Sequence, residues 1–152
     1  GSESVLETLG RELVHELGLG PIETQFAVRL ANGRTAWCDL RVGCHIIECH
    51  GFMKLLSPGE GGVATEPAAT VLWKQKARET AICELGLGLS TITWADCFGA
   101  RREETKIRIK REYEVTLRRF GAELPKHLQE FAHRHPRERR TRLWTPDLKS
   151  AG

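Results

Sequence analysis

Two acids stand inside the most strand-like stretch of the chain, Cys38 to Lys54, which reads CDLRVGCHIIECHGFMK. A side-chain period of two puts Glu48 and His50 on one face of their strand. Asp39 lies on the neighbouring strand across the turn at Arg41–Cys44, so all three side chains can converge. Two carboxylates on adjacent strands make a hard-oxygen site suited to Mg²⁺ or Mn²⁺, with the carbonyl of Cys49 as a further ligand. A metal held there by Asp39 and Glu48 lowers the pKa of a bound water and stabilises charge on a scissile phosphate. Neutral His50, near its ordinary pKa of about 6.5, is placed to act as a base or as a ligand. The plainer alternatives are that the acids face solvent or pair with an arginine such as Arg41.

The elements that must position these acids follow from pattern. Leu6, Leu9, Leu13 and Leu17 give one buried helical face after a cap at Ser2, and Gly18, Gly20 and Pro21 end it. Residues 23–30, ETQFAVRL, alternate as a strand, and Asn32-Gly33 is a strong hairpin signal. Residues 35–42 form the return strand, Gly43 permits a second tight turn, and residues 45–49 complete an antiparallel meander. Residues 57–62, SPGEGG, read as a loop. A helix follows from Glu66 or Pro67 to about Leu85, then a β-branched strand over residues 89–97. A long charged helix from about Arg101 to Phe120 carries a stripe of Ile107, Ile109, Tyr113, Val115, Leu117 and Phe120. Beyond Gly121 a short helix, residues 126–133, leads into a basic extended arm. The order α-β-β-β-α-β-α predicts an α+β domain with a mixed sheet over residues 3–120, with residues 121–152 as a basic C-terminal extension.

Composition narrows the class. With 40% hydrophobic and 28% charged residues, the 152-residue chain has a globular rather than a disordered balance. No apolar run approaches the roughly 18 residues of a membrane span. Five cysteines without a CxxC pair predict buried, reduced thiols and a cytoplasmic protein; a zinc site from Cys38, Cys44, Cys49 and a histidine fits no common spacing. Gly1-Ser2 reads as a remnant of expression, so a missing N-terminal DNA-binding partner domain is one expectation. Residues 1–100 hold 8 Lys/Arg against 12 Asp/Glu, whereas residues 101–152 hold 15 against 8. Such an asymmetry is what polyanion binding leaves behind; a solvated helix of mixed charge is the competing explanation.

The succession PIETQ, WCDLRV, HIIECHG and VLWKQKARETAICELGLGLSTITWAD resembles the PD-(D/E)xK restriction-endonuclease-like superfamily. Within it the chain is most similar to the branch of very-short-patch repair endonucleases, in the style of small actinobacterial and phage proteins. The resemblance covers roughly residues 3–120. It implies a restriction-endonuclease-like mixed sheet, divalent-metal-dependent DNA cleavage, Asp39 and Glu48 as metal ligands, and Glu3 or Glu7 as the first-helix acid. The chain departs from the pattern at His50, where relatives carry Asp or Lys. Lys54 from the following loop, or Lys76 on the facing helix, is the candidate to take that role.

Two functions follow as expectations. The first is a DNA endonuclease in which Asp39 and Glu48 hold Mg²⁺ or Mn²⁺ and His50 or Lys54 orients or deprotonates the attacking water. The second is an inactive pseudo-nuclease that binds DNA as a regulatory, repressor-like module. In either, Lys76, Arg78, Arg101, Arg102, Lys106, Arg137, Arg139, Arg140 and Arg142 are the DNA-binding candidates, with steep salt dependence as the signature. A third reading is a protein-binding domain whose basic arm holds an acidic partner or a second copy in a homodimer. Trp37, Trp73 and Trp94 are expected as core anchors, and Trp144 in the arm either packs or stacks on a base.

Overall fold

The computed structural model describes residues 2–51, 67–136 and 142–144, the side chains of residues 2–4 and 142–144 excepted. Its elements are α1 (Ser2–Glu16), β1 (Ile22–Arg29), β2 (Thr35–Val42), β3 (His45–His50), α2 (Ala68–Cys83), β4 (Gly88–Thr93), α3 (Gly99–Phe120), α4 (Lys126–Arg134) and β5 (Arg142–Trp144). They form an α+β fold around one mixed sheet in the order β4-β3-β2-β1-β5. β1, β2 and β3 are the antiparallel meander, β4 joins β3 in parallel, and the three-residue β5 adds to the outer edge of β1. No helix among the described residues is long and apolar enough to cross a membrane.

Hydrophobic pattern explains the layers. Leu6, Leu13 and Val14 of α1 and Ile109 and Tyr113 of α3 share one core with Leu40, Val42, Ile47 and Ile92. Ile82 of α2, with Leu124, Leu128 and Ala132 in and before α4, shares the other with Phe26, Val28, Cys38 and Ile46. Each fully buried leucine or isoleucine contributes about 1.5–3 kcal/mol, so the two cores clamp the sheet from both sides. The chain beyond Gly121 therefore supplies core through α4 and a strand edge through β5, which is more than an arm.

The meander changes faces partway along. Ile22, Leu40 and Val42 belong to the α1/α3 core, whereas Phe26, Val28, Ala36 and Cys38 belong to the α2/α4 core, although all are even-numbered. The switch falls between the paired Thr24–Leu40 and Phe26–Cys38, at Gln25 and Asp39. Gln25 has φ of 51°, the only positive φ of a non-glycine residue among those described. That backbone costs energy for a side-chain-bearing residue, and it persists only where surroundings enforce it.

Four expectations are corrected. The strand expected over 89–97 ends at Thr93, and Trp94–Cys97 is a 3₁₀ turn whose capping box joins Thr93 and Asp96. Trp73 is 72% exposed and Trp94 39%, so neither is a core anchor. On α3 the buried stripe is Thr105, Ile109, Tyr113 and Thr116, while Ile107 and Val115 face out. Cys83 is exposed, unlike the other four cysteines.

The start of β3 carries a buried polar chain. His45 bonds Thr116 Oγ1 through Nδ1 and Ser90 Oγ through Nε2, each at 2.7 Å. Ser90 spends its proton on Glu112 Oε1 at 2.6 Å, so His45 donates at Nε2 and its Nδ1 accepts from the Thr116 hydroxyl, which also lies 3.2 Å from the Glu112 carbonyl. Burial pushes its pKa down to about 4, which keeps the ring neutral. Gly88 is obligatory beside it, because a Cβ there would sit 1.8 Å from Thr116 Oγ1.

Candidate functional site

The tight turn at Gly43-Cys44 fixes the register in which Val42 faces His45 and Leu40 faces Ile47. One step further along stand Asp39 and Glu48, where side chains replace the ladder. The Asp39 N–H donates to Glu48 Oε2 at 2.9 Å, and the Cys49 N–H donates to Asp39 Oδ2 at 2.8 Å. The two strands thus stay joined through their acids where backbone pairing stops.

Two neighbours complete the arrangement. From β1, Gln25 Nε2 donates to Glu7 Oε1 of α1 at 3.0 Å and to Asp39 Oδ1 at 3.5 Å, so the strained residue ties the helix acid to the strand acid. From α2, Arg78 reaches Glu48 Oε1 with Nε at 3.0 Å and with Nη2 at 2.9 Å, and Nη2 also donates to the Trp37 carbonyl at 2.9 Å. The Glu48 side chain is 4% exposed and that of Arg78 36%, so the guanidinium covers the carboxylate from the solvent side. Burial works against the charge on Arg78, but Glu48 beside it outweighs this and holds its pKa above the usual value. The thiols of Cys38 and Cys49, on either side, are pushed up by burial and by these carboxylates, and stay protonated.

Of the sequence-derived site residues, Asp39 and Glu48 are brought together as expected. His50 shares the Glu48 face but is held by α2, its Nδ1 accepting from Gln75 Nε2 and its Nε2 lying 3.8 Å from Glu79 Oε2. Glu7 is the α1 acid seen at the site; the Glu3 side chain lies outside those described. Lys54, Arg137, Arg139 and Arg140 also lie outside the described residues, and Arg142 is placed only as backbone in β5. Arg78, expected on phosphates, points inward to Glu48, because a buried carboxylate is a stronger claim on a guanidinium than solvent is. Arg102 and Lys106 both bind Glu16, whose pKa they hold down at about 2, and Arg101 binds Asp96 at 2.9 Å. Lys76 is exposed on α2.

Sequence reasoning missed Gln25, and no pattern signals a glutamine at positive φ. It also missed the pairing of Arg78 with Glu48, for which a guanidinium on the helix that follows the acid-bearing strand was the available sign.

A divalent ion needs several oxygen lone pairs aimed at one point. Here Glu48 Oε1 accepts twice from Arg78, while Glu48 Oε2 and Asp39 Oδ2 accept from backbone N–H groups. No group of three His, Cys, Asp or Glu side chains among the described residues is placed to hold a metal. The donor set has the right chemistry, but as folded it does not fit a divalent ion, because a guanidinium stands where the ion's charge is needed.

No family model, no curated protein and no solved structure matches the chain.

Proposed function

We propose that the chain is a restriction-endonuclease-like DNA-binding protein that grips DNA without cutting it. The observation that carries this reading is the Asp39–Glu48 pair at the opening of the β2–β3 ladder, closed by Arg78. The α-β-β-β-α-β order with β4 parallel to β3 supports the nuclease-like topology. The arginine supports loss of metal chemistry, since one guanidinium offsets the carboxylate charge that would attract a cation. On the same helix Lys76 and Trp73 are exposed, a cation and an aromatic ring available to a nucleic acid, and Trp94 and Phe98 form an exposed aromatic pair with ring centroids 5.7 Å apart.

Supercoiled plasmid incubated with the protein and Mg²⁺ or Mn²⁺ tests both halves. The expected result is retarded mobility that fades steeply as salt rises, with no nicking by the parent or by Glu48→Ala. Nicking by the parent that disappears in Glu48→Ala would restore the endonuclease reading. Unretarded plasmid at low salt would remove DNA as the partner.

A further inference from the structure

We infer that the outer face of α2 is a self-pairing surface, on which a second copy of this chain lays its own α2 antiparallel in a two-fold dimer. The inference depends neither on DNA being the partner nor on the chemistry of the acid site.

The inner face of α2 is accounted for: Gln75 bonds His50, Arg78 bonds Glu48, and Ile82 is buried in the core. The outer face is not. Ala69, Leu72, Trp73, Lys76, Ala77 and Thr80 are all exposed and recur at the three- and four-residue spacing of one helix stripe. Leu72 is 50% exposed and Trp73 72%, and large apolar side chains set side by side in solvent mark a contact surface. The start of the helix has little other support. Pro67 stands at its N-cap without a side-chain cap bond, and its first turn carries no acid. A helix of this length is marginal without packing, so a partner on the stripe supplies what the fold does not.

Charge and size select a second copy as that partner. Two such stripes run antiparallel with the two-fold axis at Lys76 would set like charges against each other. With the axis between Lys74 and Gln75, Leu72 meets the partner's Ala77, Ala69 meets the partner's Thr80, and Lys76 lies over the partner's Trp73 ring. Each contact is made twice, as a closed two-fold interface requires. Small residues opposite larger ones let the helices approach to about 8–10 Å, and Lys76 gains a cation–π contact where it otherwise faces water. Pairing would cover Trp73 and Lys76 and leave Trp94 and Phe98 as the exposed aromatic pair for a nucleic acid.

Sedimentation velocity of the full chain without nucleic acid, run across the micromolar range, measures this, with circular dichroism to check the fold. The parent is expected to dimerise with a micromolar dissociation constant, as suits an interface of one helix pair. Trp73→Ala should weaken the dimer at least tenfold, as loss of a central aromatic anchor does, and Lys76→Gln roughly two- to fivefold. Leu72→Glu, at a second exposed position, should also weaken it at least tenfold. These side chains are exposed, so none of the substitutions opens a cavity. A parent that stays monomeric overturns the inference; if Trp73→Ala then also loses plasmid retardation, the stripe serves the nucleic acid instead. A dimer that Trp73→Ala and Leu72→Glu leave intact overturns it as well, because the copies then meet elsewhere. Unretarded plasmid beside an intact, Trp73-dependent dimer removes the DNA-binding reading and leaves this one standing.

Discussion

β3 carries two buried polar networks at its two ends, and they are built on opposite terms. At His45 the chain Thr116–His45–Ser90–Glu112 is neutral at its buried centre and meets solvent at its outer end, where Glu112 also pairs with Arg108. No residue of this network has a positive φ, and Gly88 makes room for it by lacking a Cβ. At Glu48 the network is charged, reaches solvent through Arg78, and includes Gln25 in a costly conformation. A network that is neutral at its buried centre adds stability and uniqueness to a core. A charged pair beside a strained residue contributes little to stability that an apolar core would not. The two networks stand three residues apart on one strand.

The sharpest way to break this contrast is Gly88→Ala. The added methyl would collide with Thr116 Oγ1 and lie 2.8 Å from His45 Nδ1, both side chains hydrogen-bonded in the same buried network. Unfolding by urea should show a loss of at least about 3 kcal/mol, at the upper end of overpacking effects. A loss under about 1 kcal/mol would mean that the buried network has slack.

Acid sharpens the same contrast. The folded pKa of His45 is about 4 against 6.5 when unfolded, so between these values the unfolded chain binds the extra proton. Stability from the neutral ring is complete above about pH 6.5 and is lost as pH falls toward 4, by about 3 kcal/mol at 1.36 kcal/mol per unit. His45→Gln should flatten that part of the stability-against-pH curve relative to the parent. An unchanged slope would show that His45 does not stay neutral.

The smallest effect belongs to the strained end. Gln25→Ala and Gln25→Gly both remove the side chain that links Glu7 to Asp39, so their difference reads the backbone alone. At φ of 51° the glycine variant should be the more stable by about 1 kcal/mol, measured by thermal unfolding. If alanine is equal or better, the residue carries no strain and the contrast between the two networks weakens.

What was legible in the sequence was local. Asn32-Gly33 and the alternation on either side gave the meander, and Gly43 gave the register that sets Asp39 beside Glu48. What escaped was long-range or carried by the wrong class of residue. Arg78 meets Glu48 across 30 positions of chain. Thr105 and Thr116 fill the buried stripe of α3 that Ile107 and Val115 were expected to fill, because a buried threonine can satisfy its hydroxyl locally, as Thr105 does on the Arg101 carbonyl. The Thr93–Asp96 capping box was readable in TWAD, but the β-branched run before it masked the stop. Trp73 looked apolar enough for a core, yet α2 commits only Ile82 to burial.

The Gly43-Cys44 turn also sets an order of events. The hairpin that unites Asp39 and Glu48 spans few residues, and such hairpins form in roughly 1–10 μs. The counter-charge arrives from α2, whose delivery requires closing a much longer loop. During assembly the two acids therefore meet before their partner does, and the last act at this site is the docking of an arginine onto a pair already formed.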